Sequence, residues 1–348
     1  MSRSATLKKL LWACCYAAAC HVGAATAATV WQWVPFGNAY CANGTTTGIG
    51  VSVGPSTTRL LIYLEEGGAC WSAATCYGPN SPAAFTTGYG PENFASDSTS
   101  TSFLAEPGGF FDRSTAKNPF KSDSFVFVPY CTGDLHGGDN VVAYDSTHIA
   151  YHLGYANMTA YLRELLRAFP AVTRVTLVGS SAGGYGALIN WAHTQATFAR
   201  AEVDLVDDSG MPVVNQLLSP SNPMWTEMMT NWNMPATLPA GCRACVTEGF
   251  EALIAYYETA QPRDSAAYLT YQSDTVLPGY YGITESGFQQ ALRYDQALIG
   301  VDARTHYFAV PAYGHILFLS PWLAAGGVTL QTWLAEMTTG SPAWTNAN

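Results

Sequence analysis

Short runs of apolar residues recur along the chain, and each has the length and composition of a buried strand. Apolar residues between Tyr155 and Phe169 instead follow helical spacing and stop before Pro170, which predicts a helix. Because strands and helix alternate here, we predict a parallel sheet with helices packed against it. The predicted strands are Arg59–Leu64, Ser124–Tyr130, Val175–Val178, Val203–Val206, Ala267–Tyr271 and Thr305–Pro311.

The segments between these strands complete the predicted architecture. Val30–Val34 and Ile49–Val53 are expected to form strands at one edge of the sheet. Residues 77–119 are rich in Gly, Pro, Ser and Thr, so we expect a long surface loop with short helices near the mouth of the site. Residues 211–262 predict a helical, cap-like insertion, and Pro321–Met337 predicts a terminal amphipathic helix.

The run Val175–Val178 leads into Gly179-Ser-Ser-Ala-Gly183, which matches the pattern G-x-S-x-G ahead of a helix of small residues. In this pattern the central serine sits on a strained strand-to-helix turn, and the glycines leave room for neighbouring backbone. A Gly/Ser-rich loop is the simpler interpretation, but the flanking strand and helix favour a nucleophile elbow. Ser181 is the predicted nucleophile, in an α/β-hydrolase-like three-layer sandwich.

A glycine pair follows the buried strand Arg59–Leu64, within Glu65-Glu-Gly-Gly68. Glycine lets backbone N–H groups turn toward a developing negative charge, so Gly67 and Gly68 are candidates for half of an oxyanion hole. Ala182 is the other candidate donor, because in this fold the residue after the nucleophile supplies an N–H group. A plain Gly-Gly turn is the alternative.

A serine nucleophile needs a base that is oriented by a carboxylate, and this fold supplies them in the order Ser, Asp, His. His315 lies in the loop after the last predicted strand and is the predicted base. Asp274 follows the preceding strand and is the predicted acid. Asp208 is the alternative acid, and capping or bracing of the loop beside the elbow is its other possible role. Asp207 and Asp302 rank lower.

Charge and composition narrow the ligand class. Charged residues make up 11% of the 348 residues and aromatic residues 13%, and the formal net charge is −10. With 15 Lys plus Arg and no basic patch, the sequence argues against nucleic-acid binding. Such a composition is typical of secreted proteins and suits a neutral sugar or ester ligand. We expect no cofactor and a monomer.

The N-terminus has the pattern of a secretory signal peptide. Basic residues precede the apolar run Leu10–Cys20, and small residues follow it, so residues 1–28 are expected to be removed. The run is too short for a stable membrane span. Lipid anchoring at Cys20 is a less favoured alternative. No linker or internal repeat is visible, so residues 29–348 are expected to form a single domain.

Six cysteines remain after the predicted signal peptide, and an even number in an exported chain implies three disulfides. Short spacing favours the pairs Cys242–Cys245 and Cys70–Cys76, which leaves Cys41–Cys131, although spacing does not settle connectivity. Half of a zinc site or a redox pair is the alternative for Cys242 and Cys245.

A polar loop after the strand Ser124–Tyr130 contains possible metal ligands. Asp134, His136 and Asp139 are of the right types, but a polar loop held by a disulfide is the commoner arrangement. No metal is predicted.

Four motifs occur between Cys41 and His315 in a fixed order: Leu64-Glu-Glu-Gly-Gly-Ala-Cys70, Tyr130-Cys-Thr-Gly-Asp134, Gly179-Ser-Ser-Ala-Gly-Gly184 and Asp208-Ser-Gly210. Together they resemble the pectin acetylesterase family, which also includes the Wnt deacylase Notum. The resemblance implies metal-free ester hydrolysis in an α/β-hydrolase-like fold. Matched motif by motif, it implies the site residues Ser181, Asp274, His315, Gly67, Gly68 and Ala182.

This chain departs from the family pattern at Glu66, where many members have a further glycine, and the surroundings of Asp274 match loosely. The expected function is hydrolysis of an acyl ester, acetyl first, on a polysaccharide such as pectin. The low content of basic residues argues against a polyanionic substrate. A broad carboxylesterase, a lipid deacylase and a polyester depolymerase remain alternatives. A catalytically dead binding module is the least favoured.

Overall fold

The computed structural model describes residues 29–99, 102–213, 222–260, 263–299 and 303–348. The predicted signal peptide, Cys20 and Asp302 lie outside these residues. Within them, no helix is long and apolar enough to cross a membrane.

A large β-sheet forms the centre of the molecule. The described strands are β1 Gln32–Tyr40, β2 Thr46–Ser52, β3 Arg59–Leu64, β4 Ser124–Val128, β5 Asn140–Ala143, β6 Ile149–His152, β7 Arg174–Ser180, β8 Glu202–Asp208, β9 Ala266–Asp274, β10 Thr305–Gly314, β11 Ala324–Ala325 and β12 Val328–Thr329. Eight of them form one sheet in the order β1-β2-β4-β3-β7-β8-β9-β10. The pairs from β4 to β10 are parallel, whereas β1 and β2 are antiparallel to their neighbours. The prediction of a mostly parallel sheet is confirmed.

Helices cover the sheet and form the insertion. The described helices are α1 Ala73–Cys76, α2 Pro91–Asp97, α3 Gly154–Ala168, α4 Ala182–Thr197, α5 Met224–Asn231, α6 Met234–Thr237, α7 Arg243–Thr247, α8 Glu251–Ala260, α9 Leu277–Tyr281, α10 Glu285–Leu298 and α11 Leu330–Thr339, with a 3₁₀ turn at Phe103–Ala105.

Strand β3 shows how the sheet separates two cores. Successive side chains point to opposite faces, so Leu60, Ile62 and Leu64 join one core, and Leu61 and Tyr63 join the other. The first core also contains buried residues of α3, α4 and the α5–α8 insertion. The second contains α11 and the aromatic residues of the loop before β4. The molecule therefore has three layers with the sheet in the middle.

The loop at 77–119 differs from its expected position. Its beginning contacts the glycine pair, since Ala83 N–H donates to the carbonyl oxygen of Gly67 at 2.8 Å. Its aromatic side chains, including Phe94, Phe110 and Phe111, are instead buried against the second face of the sheet. The expected short helices are present as α2 and the 3₁₀ turn, and burial of the large rings explains how the rest of this long loop is held in place.

The predicted terminal helix Pro321–Met337 is wrong in its first half. A short hairpin of β11 and β12 precedes α11, and Gly326 and Gly327 form its turn with φ of +57° and +82°. Two consecutive residues with positive φ fit a type I′ turn, which glycine adopts readily. The hairpin β5–β6 and helix α10 were not predicted from the sequence pattern.

Three disulfides join Cys41 to Cys131, Cys70 to Cys76 and Cys242 to Cys245, the pairs favoured by spacing. The first links the start of the described chain to the end of β4, across 90 residues. The second lies just after the Gly67-Gly68 pair. The third lies in the α5–α8 insertion.

Candidate active site

The turn between β7 and α4 places Ser181 at the carboxyl edge of the sheet. Ser181 has φ of 52° and ψ of −116°, a conformation that L-residues rarely adopt. A Cβ on Gly179 would collide with the backbone of Gly183, and one on Gly183 would collide with the backbone of Leu64. The glycines of the motif are thus required by contact, and the turn leaves Ser181 8% exposed.

His315 makes two hydrogen bonds through its ring. Its Nε2 lies 2.7 Å from Ser181 Oγ, and its Nδ1 lies 2.8 Å from Asp274 Oδ2. The other oxygen of Asp274 accepts the backbone N–H groups of Val276 and Leu277, each at 2.8 Å. These bonds hold the carboxylate so that it favours a proton on Nδ1, which leaves Nε2 free to accept a proton from the serine.

The parallel sheet explains how residues so far apart in sequence meet. Ser181 follows β7, Asp274 ends β9 and His315 follows β10. Gly314 pairs in register with Asp274, so the residue after it lies beside that carboxylate. Carboxyl ends of parallel strands share one edge of the sheet, and loops from three strands converge there.

Candidate oxyanion donors lie around the same opening. Gly68, Ser181 and Ala182 line one cavity. Ala182 begins helix α4, so its N–H has no acceptor within the helix. Gly68 has φ of +83°, and a Cβ on Gly67 would meet the Tyr130 ring at 2.5 Å. The glycine pair is therefore required both by backbone conformation and by space.

Asp208 is also at the carboxyl edge, but its contacts differ from those of Asp274. Its Oδ2 accepts the Ser180 hydroxyl at 2.7 Å and the Phe318 N–H at 2.9 Å, while its Oδ1 accepts the Leu317 N–H at 2.9 Å. The side chain is fully buried, and burial raises the pKa of Asp208 to about 6. Asp208 thus ties the elbow to the loop after His315, and the His315 ring contacts Asp274.

Asp207, the lower-ranked neighbour, points to the opposite face. Its Oδ1 accepts the Gly210 N–H at 2.9 Å, and a Cβ on Gly184 would meet the same oxygen at 2.5 Å. Burial and the charge of Asp208 raise the pKa of Asp207 to about 8. Its contacts place it behind the elbow, and its carboxyl is protonated at neutral pH.

Glu66 occupies the position where the chain departs from the family pattern. Its Oε2 accepts the Tyr63 hydroxyl at 2.8 Å, so the carboxyl turns back toward β3. Burial raises its pKa, while the hydrogen bond from the Tyr63 hydroxyl opposes that shift. Glu65 is held similarly, with the Tyr130 N–H donating to its Oε2 at 2.8 Å. The two carboxyls are engaged by these donors, and the following glycines form the turn.

The polar loop that suggested metal ligands is filled by internal hydrogen bonds. Asp134 Oδ2 accepts the N–H groups of Gly154 and Gly138 at 2.7 and 3.2 Å. His136 Nε2 lies 2.9 Å from the carbonyl oxygen of Glu65, and burial lowers the pKa of His136 to about 4. His136 is therefore neutral and contacts the backbone of Glu65, two residues before the glycine pair, whereas Asp134 ties its own loop to the start of α3.

Two sulfurs and an imidazole come together elsewhere, at Cys70, Cys76 and His152. Both sulfurs are joined in a disulfide, so they are not thiolate ligands. The ring of His152 is held between the carbonyl oxygen of Thr132 and the Tyr144 hydroxyl, at 2.8 and 2.9 Å. This cluster has a structural role.

An apolar cavity opens beside Ser181. The insertion at 211–262 supplies much of its wall, and α9 supplies another part. The sequence predicted the insertion but not the residues that line the cavity. The Met and Trp residues of the cap-like segment were the signal that could have indicated an apolar pocket. The cavity wall includes Trp71, Leu135, Tyr185, Met224, Trp225, Met228, Phe250 and Tyr281.

The sequence model of the Pectinacetylesterase family matches residues 26–261, which is more than half of the chain. The chain belongs to the pectinacetylesterase family. The match includes the glycine pair and the elbow and supports the expected enzyme class, a carboxylic ester hydrolase. The match ends before Asp274 and His315, so the roles of these two residues in this pectinacetylesterase are argued from their contacts alone.

Curated relatives of this pectinacetylesterase are named palmitoleoyl-protein carboxylesterases. The palmitoleoyl-protein carboxylesterase NOTUM of Schmidtea mediterranea is 32% identical over 143 residues, covering 39% of this chain and 25% of the relative. Palmitoleoyl-protein carboxylesterase notum2 of Xenopus laevis is 30% identical over 154 residues, covering 43% and 29%. The matched part thus spans less than a third of the length of these relatives.

A solved structure shares the fold. The Wnt deacylase Notum from Drosophila superposes with a TM-score of 0.68 at 19% identity, covering 90% of this chain and 95% of that one. The predicted α/β-hydrolase-like fold class is confirmed.

Proposed function

We propose that this pectinacetylesterase is a serine carboxylesterase in which Ser181 is the nucleophile, His315 the base and Asp274 the acid. The observation that carries the proposal is the pair of hydrogen bonds from the His315 ring, one to Ser181 Oγ and one to Asp274 Oδ2. A serine at such a turn, within reach of an oriented imidazole, is suited to attack an acyl carbon.

The proposed reaction has two halves. Ser181 Oγ attacks the ester carbonyl carbon while its proton passes to His315 Nε2, and the N–H groups of Gly67, Gly68 and Ala182 stabilise the oxyanion. The C–O bond to the alcohol breaks, and His315 returns the proton to that oxygen. Water then attacks the acyl carbon and gives a proton to His315 Nε2. The bond to Ser181 Oγ breaks, and His315 returns the proton to that oxygen as the acid leaves.

The cavity supports an acyl group with an apolar chain. Its wall is formed mainly by aromatic and aliphatic side chains, and burying each methylene contributes about 0.8 kcal/mol. The name of the relatives, palmitoleoyl-protein carboxylesterase, is consistent with such a group. The family description favours the second candidate, an acetyl ester on a polysaccharide.

We further propose that the protein is exported and that residues 29–348 form one domain. The three disulfides support an oxidising compartment, since such bonds are rare in the cytosol. The two cores lie on opposite faces of one sheet, which supports a single folding unit.

A series of p-nitrophenyl esters from acetate to palmitate tests activity and acyl group together. We expect kcat/KM for octanoate to exceed that for acetate by about tenfold or more, because an apolar pocket favours added methylenes. Val213 lines the cavity, and Val213→Trp should lower octanoate hydrolysis more than acetate hydrolysis. A preference for acetate, unaffected by this variant, would favour the acetyl candidate.

Nucleophile identity is tested by Ser181→Ala, with Ser96→Ala at an exposed position of α2 as control. Turnover should fall by about 10³-fold or more in the first variant alone. A fluorophosphonate should label the wild type at Ser181, as measured by peptide mass. Wild type that neither turns over esters nor becomes labelled would contradict the proposed esterase and favour a binding module.

A further inference from the structure

Two tyrosines enclose the glycine pair that carries the candidate oxyanion donors. Tyr130 lies against Gly67, where its ring occupies the space that a Cβ would need. Tyr280 lies against Gly68, where its hydroxyl occupies the corresponding space. The two rings therefore confine the backbone of the pair, and one of them presents a polar atom to it.

The two hydroxyls differ in their hydrogen bonding. Tyr130 Oη accepts the Leu135 N–H at 2.9 Å, deep in the protein. Tyr281, the neighbour of Tyr280, has its hydroxyl bonded to that of Tyr185 at 2.5 Å. Among the described residues the Tyr280 hydroxyl has no hydrogen-bond partner. A hydroxyl at a cavity wall, without a partner in the protein, can donate to a ligand.

Helix α9 brings Tyr280 to this position. The helix starts three residues after Asp274, whose Oδ1 accepts the N–H groups of Val276 and Leu277. Tyr280 lines the same cavity as Gly68, Ser181 and Ala182. The carboxylate that orients His315 thus also anchors the backbone of the segment that carries Tyr280, and packing against Gly68 places the Tyr280 hydroxyl beside the glycine pair.

We infer that the Tyr280 hydroxyl donates a hydrogen bond to the oxyanion, in addition to the backbone N–H groups of the glycine pair and Ala182. The inference rests on the proposed esterase function. A donor held in place before the reaction stabilises the negative charge that develops on the carbonyl oxygen, with little reorganisation. Tyr280 would then act in the transition state more than in substrate binding.

The test is Tyr280→Phe, which keeps the ring against Gly68 and removes the donor. Tyr313→Phe is the matched control, since Tyr313 is 73% exposed and is not among the residues that line the cavity. We expect kcat for p-nitrophenyl octanoate to fall by about ten- to a hundredfold in Tyr280→Phe, with KM nearly unchanged. The control should keep wild-type kcat, and both variants should keep the wild-type Tm.

A trifluoromethyl ketone provides a second readout, because the serine adds to its carbonyl and creates a bound oxyanion. Its inhibition constant should rise in Tyr280→Phe by the same factor by which kcat/KM falls. An unchanged kcat, or a change in KM alone with unchanged inhibition, would show that Tyr280 is merely a wall of the cavity. Those results overturn this inference while wild-type turnover persists, whereas an inactive wild type overturns the esterase proposal itself.

Discussion

The ends of β8 and β9 look alike in sequence and behave differently in the structure. Each of these neighbouring parallel strands ends in a buried aspartate, Asp208 on β8 and Asp274 on β9. Asp274 gives one oxygen to the His315 ring and the other to the start of α9. Asp208 instead accepts the N–H groups of Leu317 and Phe318 and the Ser180 hydroxyl.

The difference shows that two carboxylates can act on the same histidine in separate ways. Asp274 contacts the ring and can set its tautomer. Asp208 contacts the backbone two and three residues beyond His315, and its own carbonyl oxygen accepts the Ser181 N–H at 2.7 Å. The first is the proposed acid, and the second holds the elbow and the histidine loop together.

The largest expected effect is on the rate in Asp274→Asn. We expect kcat to fall by about 10³- to 10⁴-fold, because the amide can present N–H to the ring and favour the wrong tautomer. The Tm should change little, since an amide oxygen still accepts the N–H groups of α9. Asp145→Asn is the control, because Asp145 forms an exposed pair with His148, Oδ2 to Nδ1 2.6 Å, and neither residue lines the cavity beside Ser181. Retention of a tenth of the activity in Asp274→Asn would argue against its role.

Asp208→Asn should mainly affect stability. Four donors point at this carboxylate, and an amide would turn N–H toward at least one of them. We expect the free energy of unfolding to fall by about 2–3 kcal/mol and kcat by about tenfold. Urea denaturation and steady-state kinetics measure the two effects. A loss of rate as large as in Asp274→Asn, at unchanged stability, would exchange the roles of the two aspartates.

The smallest effect is expected at Asp207, next to Asp208. A carboxyl with a raised pKa binds its proton more tightly in the folded state than in the unfolded chain. The folded state therefore loses stability as pH rises from about 4, the unfolded value, to about 8, the folded value. Asp207→Asn resembles the protonated form, so its Tm should fall less steeply over this range than that of the wild type. Equal slopes in Tm against pH would contradict the assigned pKa.

Short sequence patterns predicted most of the central sheet and the turn that carries Ser181. The apolar runs predicted all eight strands of the main sheet, including the two at its edge. Strand β7 is longer by one or two residues at each end than its predicted core. The elbow was also predictable, because the G-x-S-x-G pattern lies between a strand and a helix of small residues. The contact that requires glycine at position 183 is not local, since it involves the backbone of Leu64 on β3. The hairpin before α11 was missed, since helical spacing of apolar residues outweighed the Gly326-Gly327 signal.

By itself, then, the amino-acid sequence determined the positions of the strands, the elbow and the glycine pair, because each is marked by a short run of characteristic residue types. The position of Asp274 after the penultimate strand ranked it above Asp208 as the candidate acid. The sequence could not predict which of the two contacts His315, since both lie at the end of a buried strand. The tertiary structure decided which carboxylate meets the His315 ring, and it assembled the apolar cavity from α9 and a distant insertion. Those features depend on sheet order and register, which join residues that the chain separates by dozens of positions.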